Sequence, residues 1–148
     1  MSATGLDVFD ETIHKTNSWL KEISESVGSD RRRAYRALRA VLHALRDRLT
    51  LNEAAHLGDQ LPMLVRGIYY EAWRPAGKPE KIRSLDEFLE RISADFAKAQ
   101  PMDPEDAARA VFQVLVHHVT PGEIYDVIHE LPTEIRALWP QQALQQPA

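Results

Sequence analysis

The chain contains no cysteine, which excludes disulfides, thiolate metal centres and thiol catalysis. It has no run of about 18 apolar residues, so no segment reads as a membrane span. No stretch shows the alternating, β-branched pattern of a strand. The opening Met1-Ser2-Ala3-Thr4-Gly5-Leu6-Asp7 lacks the basic and apolar regions of a signal peptide. Nucleophile elbow, zincin histidine pair, phosphate-binding loop and dinucleotide fingerprint are all missing, which lowers the expectation of an enzyme. A net charge of −4 argues against nucleic acid as the main partner. These absences point to a soluble protein of a reducing cytoplasm, with no membrane association.

What the sequence does have is helical periodicity. Its 148 residues, 44% hydrophobic and 27% charged, fit one ordinary globular domain. The spacing predicts a first helix from Leu6 to Val27, with Phe9, Ile13, Thr16, Leu20, Ile23 and Val27 on one face. Thr4 or Asp7 is placed to cap it and Gly28 to stop it. Ser29-Asp30 opens a second helix to Arg48, burying Ala34, Leu38, Val41, Leu42, Leu45 and Leu49. Arg32, Arg36, Arg39, His43 and Arg46 form a stripe along its flank. Thr50-Leu51-Asn52-Glu53 reads as a capping box before a short helix, and Pro62 opens another that carries Val65, Tyr69 and Trp73.

Residues 74–83 read as a linker. Ser84 to Glu87 is a further capping box, followed by Leu85, Phe88, Leu89, Ile92 and Phe96 on one face. Asp103-Pro104 starts a helix that is apolar nearly all round from Ala107 to Val116, so it should be central. Thr120-Pro121-Gly122-Glu123 is again a capping box, and Pro132 starts the last helix. Residues 141–148 have little to pack with and are expected to fray.

Two stretches organise this pattern. Ala37 to Tyr69 aligns without a gap on Ala107 to Trp139 at an offset of 70, and ten of the 33 positions are identical. The expected architecture is all-α: two similar helical modules, 5–73 and 84–140, produced by internal duplication and packed as one compact bundle.

The strings Leu42-His43-Ala44-Leu45-Arg46-Asp47-Arg48-Leu49, Gln60 to Tyr70, and Leu131 to Trp139 resemble a bacterial family of unknown function, DUF2267. The resemblance extends from about Leu6 to Pro140. It implies a small, all-helical, cytoplasmic bacterial protein, and it brings no activity and no catalytic residues with it.

The candidate functional residues fall into four groups. Thr50, Glu53, Thr120 and Glu123 are explained as helix caps. Arg39/Arg109 and Arg66/Arg136 either hold the halves in register, through Asp47, Glu71 or Glu134, or face an anionic ligand. Arg66 also stands beside Tyr70 and Trp73, amphipathic aromatics of the kind that anchor interfaces. His56/Asp126 and Asp59/His129 are matched at the offset of 70, so each short helix carries a His and an Asp three apart. If the modules faced one another, those four side chains could hold one metal. Finally, seven arginines lie between Arg31 and Arg48, a pattern able to follow a phosphate backbone.

The function expected from this is a non-enzymatic module that binds another macromolecule, a protein partner above all, through Arg66, Tyr70, Trp73, Arg39 and Arg109. No cofactor is implied. The alternatives are a metal- or small-ligand-binding protein using His56, Asp59, Asp126 and His129, and a nucleic-acid-associated protein using the arginine-rich helix.

Overall fold

The computed structural model describes residues 2–96 and 102–147. Over these residues the backbone forms α1 (Asp7–Val27), α2 (Arg31–Arg48), α3 (Leu51–Asp59), α4 (Met63–Tyr70), α5 (Leu85–Phe96), α6 (Pro104–His118), α7 (Pro121–His129) and α8 (Thr133–Arg136). A short 3-10 turn, Gln141–Leu144, follows. The fold is all-helical, and no helix among the described residues is long and apolar enough to cross a membrane.

Most helix boundaries follow from local chemistry. Gly28 closes α1 in the left-handed region, at φ 64° and ψ 41°. The Asp30 carboxylate accepts the Arg33 amide at 2.9 Å, and Asp103 accepts the Glu105 amide at 2.9 Å. The Ser84 hydroxyl accepts the Glu87 amide at 3.1 Å, the cap bond expected there, and donates to the Glu87 carboxylate at 3.2 Å. At the start of α1, Leu6 occupies the cap position and no side chain caps it, so neither Thr4 nor Asp7 takes that role.

α2 lies at the centre, packed against α1, α4, α5 and α6. α6 crosses it and also meets α1, α5 and α7. Ile23, Leu38, Leu42, Leu45, Phe88, Ile92, Val111, Phe112 and Leu115 are fully buried between them. Each such side chain contributes about 1.5–3 kcal/mol relative to exposure. Trp139 stacks on Phe112 at a centroid distance of 4.0 Å, which closes the far side of the core. α3 and α7 cover one end, with both bounds of α7 displaced by 70 residues from those of α3. α4 and α8 begin at the same offset, at Met63 and Thr133.

Three segments differ from expectation. Full burial in α1 starts only at Thr16. Phe9 and Ile13, assigned by periodicity to the buried face, are 44% and 40% exposed. Residues 74–83, read as a linker, are tied to the bundle: the Glu80 amide donates to the Asp47 carbonyl and Arg48 Nε to the Ile82 carbonyl, each at 2.8 Å. Beyond Pro140, Ala143 and Leu144 are half-buried against the core beside α7, where the sequence alone suggests a frayed tail.

Candidate functional site

α3 and α7 run antiparallel, joined by a reciprocal set of hydrogen bonds. The Thr50 amide and hydroxyl donate to the Glu130 carboxylate at 2.9 and 2.8 Å. At the opposite end, the Thr120 amide donates to Gln60 Oε1 and Gln60 Nε2 donates to the Thr120 hydroxyl, both at 3.0 Å. Residues 60 and 130 are themselves 70 apart, so each helix is capped by the residue that ends the other.

This arrangement changes the role of the two repeated glutamates. A capping box would send Glu53 and Glu123 back to the amides of Thr50 and Thr120. Those amides are already taken, by Glu130 and Gln60. Thr50 still accepts the Glu53 amide at 3.3 Å, whereas Thr120 makes no side-chain cap. Freed from the helix ends, the carboxyl groups turn into the seam between α3 and α7. Glu53 is 8% exposed and Glu123 is 9% exposed. Oε2 of each is buried without a hydrogen-bond partner.

Two buried carboxyl groups side by side cannot both carry charge cheaply, and each unpaired acceptor costs about 1–3 kcal/mol. Burial pushes the Glu123 carboxyl up to about 9; a hydrogen bond and the charge of Glu53, with Asp126 and Glu130 farther off, act in the same direction. Glu123 therefore holds a proton at neutral pH when nothing else neutralises the pair.

His56 completes the group. Its ring nitrogen and the carboxylate oxygens of Glu53 and Glu123 all lie within 4.8 Å of one another. Glu53 and His56 are three apart on α3, which puts both on one face. Asp126 follows Glu123 at the same spacing on α7 and is exposed. The four residues paired in the sequence as a metal set are thus distributed differently. His56 joins the glutamates, and Asp59 lines a cleft beside α1. His129 packs against Tyr125 with ring centroids 3.9 Å apart and the planes tilted by 36°, and its Nδ1 is 2.8 Å from the Tyr125 carbonyl. Neither group of three potential ligands found among the described residues contains Asp59, Asp126 or His129.

The residues singled out for partner binding are engaged within the chain. Arg66 Nε donates to the Gly58 carbonyl at 2.9 Å and Nη2 to Leu61 at 3.0 Å. Arg136 makes the matching bonds to Leu131 and His129, at 2.8 and 3.1 Å. Both arginines thus satisfy carbonyls that the ends of α3 and α7 leave open. Arg39 pairs with Glu71 at 2.7 Å, and Arg109 with Glu105 at 3.0 Å. Tyr70 and Trp73 are half-buried against the core, with ring centroids 5.4 Å apart. A Cβ at Gly58 would collide with the Tyr70 ring, so that glycine is fixed by close approach.

The arginine stripe of α2 divides in the same way. Arg46 is buried: Nε bonds Asp47 at 2.8 Å and Nη1 bonds the Tyr69 and Glu71 carbonyls, both at 2.8 Å. His43 Nε2 meets the Ile68 carbonyl at 2.7 Å. Together they close the C-terminus of α4, where donors and positive charge are favoured. Asp47 also receives Arg91, and Lys78 stands 3.9 Å away. Arg31 is bonded to Asn17 and Arg48 to Ile82.

Two features were not apparent in the sequence. The first is a surface cluster in which Glu22 of α1 bridges His117 Nδ1 at 2.5 Å and His118 Nε2 at 2.6 Å. Partial burial raises the Glu22 carboxyl, but the bonds to His118 and His117 outweigh it and hold the group below its ordinary value. Adjacent histidines at a helix end were a visible signal; their carboxylate, 95 residues away, was not. The second is apolar. Leu6, Val8, Phe9 and Ile13 on α1 and Met63 and Leu64 on α4 are six of the eight large exposed hydrophobic residues described. Val8 and Met63 also line a notch of about 150 Å³, together with Glu11, Thr12, Lys15 and Pro62, whereas Phe9 and Ile13 lie on a different face of α1. Lys15, Pro62 and Met63 connect this notch to a cleft of about 650 Å³ that also exposes Asp59, Arg66 and His118.

Comparison with known families places this geometry. The model of the family described as uncharacterized conserved protein (DUF2267) matches residues 16–138, most of the chain. The protein belongs to that family. Among curated proteins, none matches it significantly.

Proposed function

We propose that this DUF2267 protein is a non-enzymatic interaction module, and that its partner is an amphipathic helix of another protein laid against the exposed apolar starts of α1 and α4, beside their cleft. The observation that carries this reading is the gathering of exposed apolar side chains at one end of the bundle. Scattered single apolar residues are normal on a surface, whereas six large ones at the starts of two adjoining helices suit a helix-docking surface. Phe9 and Ile13 are four apart, so they present one face of α1 to an incoming helix.

The chemistry of the rim selects the partner. Asp7, Asp10 and Glu11 alternate with the apolar residues at the start of α1. Asp10 accepts hydrogen bonds from Ser2 and Thr4, which hold its carboxyl below the ordinary value and keep its charge in place. An apolar helix flanked by Lys or Arg complements this rim. Of the residues singled out in the sequence, Arg66 lines the cleft, where its charge faces the groove; Tyr70 and Trp73 support the helix that forms its wall.

The test is a photo-reactive residue placed at Ile13 in cells, with the same residue at exposed Glu90 of α5 as control. One discrete adduct is expected from position 13 and none from position 90. The purified partner should bind through a basic amphipathic segment and lose roughly tenfold or more in affinity on Phe9→Glu. Equal labelling at both positions would overturn the reading, and an adduct of the chain with itself would overturn the choice of partner.

A further inference from the structure

The α3–α7 seam has a property that docking at α1 does not use. It buries two carboxyl groups against each other, directs an unpartnered oxygen of each into the seam, and supplies no cation of its own. Helix capping no longer accounts for these side chains, since Glu130 and Gln60 do that work. A fold that places two carboxyl groups where they repel, and adds an imidazole at the rim, has assembled ligands for a positive ion.

We propose that the seam is a divalent-cation site, with Glu53, His56 and Glu123 as the protein ligands. Carboxylate and imidazole ligands together suit Mn²⁺, Fe²⁺ or Zn²⁺ better than Mg²⁺ or Ca²⁺, which take oxygen ligands. The spacing is compatible. Ligands about 2.1 Å from a metal stand at most about 4.2 Å apart, so atoms already within 4.8 Å need only small side-chain rotations. Three protein ligands leave further positions for water, and His56 is on the exposed side. The ion would therefore exchange with solvent, unlike the closed four-ligand centres that serve only structure. Asp126, placed after Glu123 as His56 is after Glu53, adds negative charge beside the site. Glu53 and His56 come from α3 and Glu123 from α7, so the ion would also cross-link the two helices.

Glu22, His117 and His118 form a second group of possible ligands, and it must be separated from the seam in any test. Its groups already satisfy one another and are more exposed, so it has less need of an ion. The experiment uses the full chain, stripped of metal with a chelator and carrying His117→Ala and His118→Ala. Mn²⁺ is titrated, and the free ion is followed by its paramagnetic resonance signal alongside thermal unfolding. The expected result is one equivalent bound, with a midpoint that rises with Mn²⁺ concentration. Both responses should disappear in Glu53→Gln/Glu123→Gln, which keeps side-chain size. His56→Ala, an exposed change that spares the fold, should weaken binding by roughly tenfold or more. Mn²⁺ that remains free throughout the titration would overturn the proposal and leave a shared proton as the occupant of the pair. Binding that survives loss of both carboxyl groups, or is unchanged by His56→Ala, would overturn it as well.

Discussion

Two places in this fold bury carboxyl groups, and only one of them supplies cations. Asp47 is 2% exposed on α2, but Arg46, Arg91 and Lys78 surround it, and Arg46 in turn satisfies the end of α4. Glu53 and Glu123 are 8% and 9% exposed and have each other and the rim imidazole of His56 for neighbours, with no Lys or Arg paired to either among the described residues. The first arrangement is a finished ionic network that pins residues 71–84 to the bundle. The second is incomplete with the chain's own atoms, and needs a proton or a cation. Burial alone therefore says little about a carboxyl group's role; its counter-charge decides whether it serves architecture or a ligand.

Substitutions should separate the two places by sign. Arg46→Ala leaves Asp47 with less compensation and removes donors from the Tyr69 and Glu71 carbonyls. It should destabilise the protein by about 3–5 kcal/mol in urea unfolding. Glu123→Gln should act in the opposite direction in metal-free protein, stabilising it by about 1–3 kcal/mol, because an amide needs no ionisation and can donate to Glu53. Destabilisation by Glu123→Gln without metal would mean that the seam is already complete, as the Asp47 network is.

The comparison can also be sharpened by pH. The Glu123 carboxyl is raised from 4.5 to about 9 in the folded chain, so the folded state holds a proton that the unfolded state releases. Its contribution is fully present below pH 4.5 and is lost as pH rises towards about 9. Metal-free protein should thus lose stability across that window relative to Glu123→Gln, and urea midpoints at several pH values would show the two curves diverging. The smallest effect belongs to the exposed cluster. His117→Ala with His118→Ala should change stability by no more than about 1 kcal/mol, since partly exposed ion pairs contribute little.

Much of the fold was legible because it is encoded locally. Asp30, Ser84, Asp103 and Gly28 act on their own helix ends, and the matched positions of Leu51 to Asp59 and Pro121 to His129 fold into helices with matched bounds. What could not be read depends on neighbours. Periodicity assigned Phe9 and Ile13 to the buried face of α1, but it says nothing about which turns of a helix find a neighbour, and both are exposed. The sequences Thr50 to Glu53 and Thr120 to Glu123 do have the form of capping boxes. Only the packing of α3 on α7 reveals that Glu130 and Gln60 occupy the cap amides and release the glutamates. Likewise, the pairing of His56 with Asp59 is local, whereas its grouping with Glu123 spans the two halves of the chain.

The most direct measurement is an anomalous difference map from crystals grown with Mn²⁺ after chelator treatment. A peak between Glu53, His56 and Glu123, bound by oxygen and nitrogen at about 2.1 Å, is the expected result. A seam without a peak, with the two carboxyl groups hydrogen-bonded across it and Mn²⁺ confined to Glu22, His117 and His118 or to bulk solvent, would contradict a cation site there.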